Sequence, residues 1–152
     1  MKKSEILQHL KDAKEAHVGW VNNAKFLIKG VNLDESAIPV NATDCKFGKW
    51  FYAEMDILKK LPNAPISIIE DIEKLHKELH DKYLEIFKIY FSEDKKVGFL
   101  SKLLGKKRKE PSSEEKEKAL QYFKELEDIS NRLITKLSKL ETAINSIPQE
   151  DL

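Results

Sequence analysis

The sequence predicts an all-α fold, an antiparallel four-helix-type bundle in which a short extra helix carries the only cysteine. Three observations lead there. Apolar residues recur at helical spacing over three long stretches. Leu, Ile, Lys and Glu dominate a chain that is 35% charged. Five glycines and five prolines leave little turn chemistry for a sheet. At 152 residues the chain is the size of one domain, expected to span 1–152 around one core.

The first helix is expected between an N-cap at Ser4 and a stop at Gly30. Leu7, Leu10, Ala13, His17, Val21, Ala24 and Leu27 share one face of it, with His9 off to one side as a solvated residue. Residues 31–44 contain Pro39, show no sustained period and read as a long ordered loop. "DCKFGKWFYAEMDILKKL" then reads as one or two short helical turns capped by Thr43 or Asp44. Gly48 works against a long helix there, and "PNAP" ends the segment. A second long helix is expected from Ile66 to Phe91, with Ile69, Ile72, His76, Leu79, Tyr83, Ile86 and Tyr90 inward and His80 beside them. A basic linker follows over 92–113. The final helix, 112–147, opens on the capping-box pair Ser112 and Glu115. Its seam runs through Leu126, Ile129, Leu133, Leu137, Leu140, Ile144 and Ile147 to Pro148.

Composition limits function. With 27 basic against 26 acidic residues there is no bulk attraction for a polyanion, and with no recognition motif nucleic acid is not an expected partner. The charged N-terminus lacks the apolar stretch of a signal peptide, and no segment approaches the roughly 18 apolar residues of a membrane span. A single cysteine, Cys45, excludes an internal disulfide and suits a reducing, cytoplasmic compartment. In the linker, Lys95, Lys96, Lys102, Lys106, Lys107, Arg108 and Lys109 flank Val97, Phe99, Leu100, Leu103 and Leu104. Residues 95–109 could lie on an anionic membrane or a partner, but a solvated loop whose apolar residues cap the bundle end is preferred.

"LHKELH" sets His76 and His80 four positions apart, about 40° around a helix, so both imidazoles can converge on one point. His17 occupies the inward face of another helix, and in an antiparallel bundle two such faces meet. Cys45 stands at the start of a helical segment, where the helix N-terminus is expected to lower its pKa. Three histidines and a cysteine form a complete tetrahedral set, best suited to zinc, with copper or iron able to take parts of it. Taken singly, each has an ordinary explanation as a buried packing residue. Both readings stay open on the residues alone. Zinc hydrolysis is not expected: a metalloprotease helix needs Glu directly after the first His, where this chain has Lys77. Glu78 lies about 200° around the helix from His76, and Leu79 breaks the inverted order. A fourth protein ligand would also fill the position of a catalytic water.

"AHVGW" with His17 and Trp20, "CKFGKW" with Cys45, Phe47, Gly48 and Trp50, and "LHKELH" resemble the chemoreceptor zinc-binding (CZB) domain family over roughly Leu10 to Tyr90. The C-x-F-G-x-W string is the most specific part. The resemblance implies one Zn2+ per chain at His17, Cys45, His76 and His80, in a helical bundle that is often dimeric and is not an enzyme. It implies a sensory role in bacterial signalling, of chemotaxis or cyclic-di-GMP type, responding to zinc or hypochlorous acid. The partner would be a chemoreceptor, a cyclase or another output protein. The chain has neither a methylation coiled coil nor a cyclase, and Met1 with a complete bundle favours a free-standing protein. A homodimer is also expected from the 126–147 seam, which one bundle would leave partly uncovered.

The expected switch is Cys45, a zinc-held thiolate that an oxidant converts to a poorer ligand. Its loss would free residues 31–61, whose one strong tether would be the metal. The alternative is a structural adaptor, in which zinc only staples the loop. Trp20, Phe47 and Trp50 are expected to shield the site, and Asp44 and Asp81 are second-sphere candidates by adjacency alone.

Overall fold

The computed structural model describes residues 2–31, 33, 38–92, 107–108 and 110–152. Among the described residues four α-helices follow in order: α1 (Lys3–Ile28), α2 (Lys46–Lys59), α3 (Ile66–Tyr90) and α4 (Ser113–Ser146). A two-residue antiparallel pairing, Phe91 with Arg108 and Ser92 with Lys107, closes the base of the linker, and a 3-10 turn at Gln149–Asp151 ends the chain. Residues 93–106 and 109 lie outside the described residues, and with them most of the segment considered for membrane contact. Among the described residues no helix is long and apolar enough to cross a membrane.

The buried faces keep a strict spacing. In α1 they are Ile6, Leu10, Ala13, His17, Trp20, Ala24 and Leu27; in α4, Ala119, Phe123, Leu126, Ser130, Leu133, Leu137, Leu140 and Ile144. Steps alternate between four and three residues, the 3.5-residue repeat that keeps one seam turned inward over a long helix. Ile6 and Trp20 therefore take the inward places expected for Leu7 and Val21, which are half-buried. Ser130 likewise replaces Ile129. In α3 the expected stripe is buried throughout, and Leu75, His80 and Phe87 widen it.

Helix direction follows from which residues meet. Lys3 bonds to the carbonyl of Asn145 and the side chain of Gln149, and Lys14 pairs with Glu141, so α1 and α4 are antiparallel. Asp71 with Lys136 and Lys82 with Glu125, each at 2.7 Å, set α3 antiparallel to α4. These half-exposed pairs fix direction rather than supply much stability. Helix α2 runs against α1, since Phe47 touches His17 while Trp50 stacks on His9. The bundle is thus up-down-up-down. Helices α1 and α3 consequently run in the same direction, with His17 level with His76, Trp20 with Tyr83, and the Tyr90 hydroxyl donating to the Ile28 carbonyl. The inward faces bearing the histidines meet as expected, but in parallel.

Helix ends depart from expectation in instructive ways. The cap of α1 is Lys2 rather than Ser4, with Glu5 reaching back to the Lys2 amide. At the other end Gly30 has φ of +90°, and Val31 N–H to Phe26 O with Gly30 N–H to Leu27 O form a Schellman stop. Ser112 and Glu115 make the reciprocal capping box that opens α4. Helix α2 is 14 residues long, more than the one or two turns expected, and its cap is Cys45, not Thr43 or Asp44. Phe47, Phe51 and Leu58 bury one side of it.

Gly48 does not break α2, because the first turn needs it. A Cβ there would sit 1.7 Å from the Ala42 carbonyl oxygen and 3.3 Å from Cys45 Sγ. An exposed helical glycine replaced by alanine normally gains up to about 1 kcal/mol. Gly48→Ala should instead lose about 1–3 kcal/mol, as overpacking does, and should weaken metal binding by pushing the 42–45 turn off α2. Denaturant unfolding and a metal titration of this variant check both, and a stabilised protein with unchanged metal binding would refute the account of this turn.

Candidate metal centre

Four side chains converge in the upper core. Inward positions on α1 and α3 supply His17, His76 and His80, which are 3%, 0% and 2% exposed. Cys45 comes from the N-cap of α2 and is half-buried. One ligand atom from each can be chosen so that all lie within 4.8 Å of one another. Centroids of His76 and His80 are 4.8 Å apart, those of His17 and His76 are 5.2 Å apart, and His76 Nε2 lies 3.2 Å from Cys45 Sγ.

The nitrogens facing away show how the rings are set. A carbonyl oxygen only accepts, so the ring nitrogen beside one must carry the proton. His17 Nδ1–H donates to Ala13 O at 2.7 Å, and His80 Nδ1–H donates to Val40 O at 2.9 Å. Each leaves Nε2 as a lone-pair donor toward the centre. The partners are backbone carbonyls, not Asp44 or Asp81: both carboxylates are exposed, and Asp44 instead accepts from Asn41. No side-chain pattern could have revealed Val40. Ala13, one helical turn before His17, could have been inferred from i−4 geometry.

The residues present fit a metal ion. Among the described residues the only buried side-chain N or O atoms without a hydrogen-bond partner are His80 Nε2 and His76 Nδ1. Buried polar atoms seldom go unmet, and a cation at the centre would engage His80 Nε2. Burial holds all three imidazoles neutral, with His17 lowered to about 4, His76 to about 2, and His80 lowered despite its carbonyl partners. Neutral imidazole is the ligating form. Three nitrogens and one sulfur match the tetrahedral preference of zinc.

Cys45 reverses one expectation. Amides of Gly48 and Phe47 at the start of α2 do lower its pKa, and Gly48 N–H donates to Sγ at 3.2 Å. Burial outweighs them and pushes the thiol up. Without a cation the sulfur is protonated at neutral pH, so the metal, not the helix, makes the thiolate.

Around the four residues lies an aromatic wall. Trp20 packs 5.0 Å from His80, and Phe47 sits 5.4 Å from His17 and 5.0 Å from His76. Trp50 stands a layer further out, stacked on the exposed His9 at 4.8 Å. Tyr52, 6.3 Å from His76, and Tyr83, against Trp20, complete the wall and were not anticipated as part of it. Glu78 pairs with Lys74 on the exposed side of α3.

The neutral imidazoles imply a pH dependence. An unfolded histidine titrates near 6.5, whereas His17 and His76 titrate far lower when folded. Between these values the unfolded chain binds more protons, so stability is full above about pH 6.5 and falls as pH drops toward 4. Metal-free protein should lose roughly 1.4 kcal/mol per pH unit for each buried histidine within that window. Urea midpoints from pH 7.5 to 4.5 read this directly; a flat profile would show that the rings are not held neutral.

Residues 17–87 match the family model described as the chemoreceptor zinc-binding domain. No curated protein and no solved structure matches the chain. The match begins at His17 and ends beyond His80, taking in the loop, α2 and the ligand-bearing turns of α1 and α3. The family is sensory and zinc-binding, typical of chemoreceptor-type signalling proteins, and is not a known enzyme family. Over residues 17–87 the chain thus matches the chemoreceptor zinc-binding domain family, whose cofactor is zinc, and its His17, Cys45, His76 and His80 are positioned to hold a metal ion.

Proposed function

We propose that this protein is a cytoplasmic zinc-dependent sensor in bacterial signalling, binding one zinc ion through His17, Cys45, His76 and His80 and reading oxidants through Cys45. The observation that carries this reading is the contrast within the site. Three imidazoles are sealed in the core, whereas Cys45 is half-buried. Reagents therefore have access to one donor only. Bound zinc keeps that donor a thiolate and thus nucleophilic. Hypochlorous acid then oxidises the sulfur by two electrons to a sulfenic acid and is itself reduced to chloride. The oxidised sulfur is a weaker donor, and the N-terminus of α2 loses its link to α1 and α3.

The extent of release is smaller than the sequence implied. Pro39 O accepts from Trp20 Nε1–H at 3.2 Å, Val40 O accepts from His80, and Ile38 is buried. Helix α2 keeps Phe47, Phe51 and Leu58 in the core. The moving part is then the turn at residues 41–48, not the whole of 31–61. These same contacts favour the competing reading, a structural staple in an adaptor, because the loop is partly held without the metal. A homodimer, if formed, needs a surface other than the α4 seam: Leu126, Leu133, Leu137, Leu140, Ile144 and Ile147 are all buried within one chain. An output protein, such as a chemoreceptor or cyclase, is the partner this reading requires.

Purified protein should carry close to one zinc per chain, and His76→Ala with His80→Ala should abolish it, while His9→Ala leaves it unchanged. Hypochlorous acid should then release that zinc to a chromophoric chelator at near one oxidant equivalent. Full zinc content in the double variant refutes the ligand set. Retention of zinc by oxidised protein favours the staple.

A further inference from the structure

Three imidazoles face one centre, but the protein does not hold them alike. The outer nitrogen of a ligating histidine is ordinarily engaged by a carbonyl or carboxylate, which fixes the tautomer and ring plane and raises the basicity of the inner nitrogen. His17 is held from its own helix by Ala13 O at 2.7 Å. His80 is held from the loop by Val40 O at 2.9 Å, and the preceding carbonyl, Pro39 O, is itself fixed by the Trp20 indole. His76 has no counterpart to either. Its Nε2 lies 3.2 Å from Cys45 Sγ, and its Nδ1 is buried without a hydrogen-bond partner among the described residues. What surrounds the ring is the edge of Phe47 at 5.0 Å, the two other imidazoles and Tyr52 at 6.3 Å.

We propose that His76 is the ligand the protein releases first, so that zinc exchange begins at His76 while His17 and His80 remain fixed. The inference rests on the four-residue ligand set proposed above. While His76 ligates through Nε2, its Nδ1–H is buried and unmet, which carries a desolvation cost; leaving the metal lets the ring turn and recover a partner. His17 and His80 would each have to break a good hydrogen bond to move the same way. Position gives the step a consequence. His76 is the imidazole beside the half-buried sulfur, so its departure opens the site on the side nearest solvent. The incoming molecule that fits there is a small competing zinc ligand, a thiol or an aminocarboxylate chelator.

Competition against a chromophoric chelator on the full chain, with His17→Ala, His76→Ala and His80→Ala compared singly, tests the ranking. The affinity loss in His76→Ala should be smaller than in the other two by roughly 10- to 100-fold, the range that outer partners of metal-bound histidines account for. A loss as large or larger overturns the proposal. Unchanged affinity and zinc content in His76→Ala overturns the ligand set beneath it. Because alanine leaves a core cavity that can unfold a variant, zinc-loaded wild-type protein with 15N-labelled histidine supplies a second reading. Long-range proton–nitrogen correlations should show Nδ1–H protons of His17 and His80 shifted downfield by hydrogen bonding, and that of His76 not. A His76 Nδ1–H shifted like the others, as a bridging water would cause, or metal bonding through Nδ1, overturns the proposal.

Discussion

Desolvation of three neutral imidazoles is the constraint on which the centre of this bundle depends. His17, His76 and His80 occupy positions that would hold leucine or isoleucine in an ordinary seam. Burial makes a charge on any of them costly, and a buried neutral nitrogen without a partner is costly too. Two of the six ring nitrogens meet carbonyls and one faces the sulfur. Zinc would resolve the inward lone pairs of His17 and His80 and turn the adjacent thiol into a compensating anion, while the outer Nδ1 of His76 stays without a partner among the described residues. The polar centre and the apolar seam above and below it are then compatible.

Topology makes the convergence possible. An up-down-up-down order sets α1 and α3 parallel, so moving along both helices in the same direction leads from the His17–His76 contact to those of Trp20 with His80 and Tyr83. The short α2 leaves the fourth corner of the bundle incomplete, and the 38–45 loop fills it. That loop does two jobs at once. Its Val40 carbonyl orients His80, and its last residue, Cys45, caps α2 with the same sulfur that faces the metal. Gly48 is what allows the turn to close, since the Ala42 carbonyl occupies the space a side chain would need. Helices α3 and α4 have extensive apolar contact of their own, including Leu79, Ile86, Leu126 and Leu133, all 0% exposed.

Much of this was legible in the sequence, and the failures have physical causes. Helical spacing sufficed for α3 and, apart from Ile129, for α4; both stripes are long, and α4 also opens on a capping box. On α1 the expected inward face holds at Leu10, Ala13, His17, Ala24 and Leu27 and is off by one residue only at Leu7 and Val21, because Ile6 and Leu7, or Trp20 and Val21, are equally apolar neighbours, and a 3.5-residue repeat separates from a 3.6-residue one only over several turns. The histidines and Cys45 stood out because four uncommon residue types fell on converging faces and within a specific string. What could not be read was the backbone: the Val40 carbonyl has no signature, and Gly48 in a helix resembles a breaker until the Ala42 carbonyl is seen against it. The thiol pKa was misjudged for a related reason, since helix-end amides are predictable from position while burial is not.

The central claim is that zinc ties the turn before α2 to an otherwise self-sufficient bundle. Amide hydrogen exchange of zinc-loaded and zinc-depleted protein, measured residue by residue at pH 7.5, tests it most directly. The account predicts that depletion exposes residues 41–48, the Gly48 amide that donates to Cys45 Sγ above all, while α3 and α4 keep their protection. Protection lost evenly across all four helices, or none lost around Cys45, would contradict it.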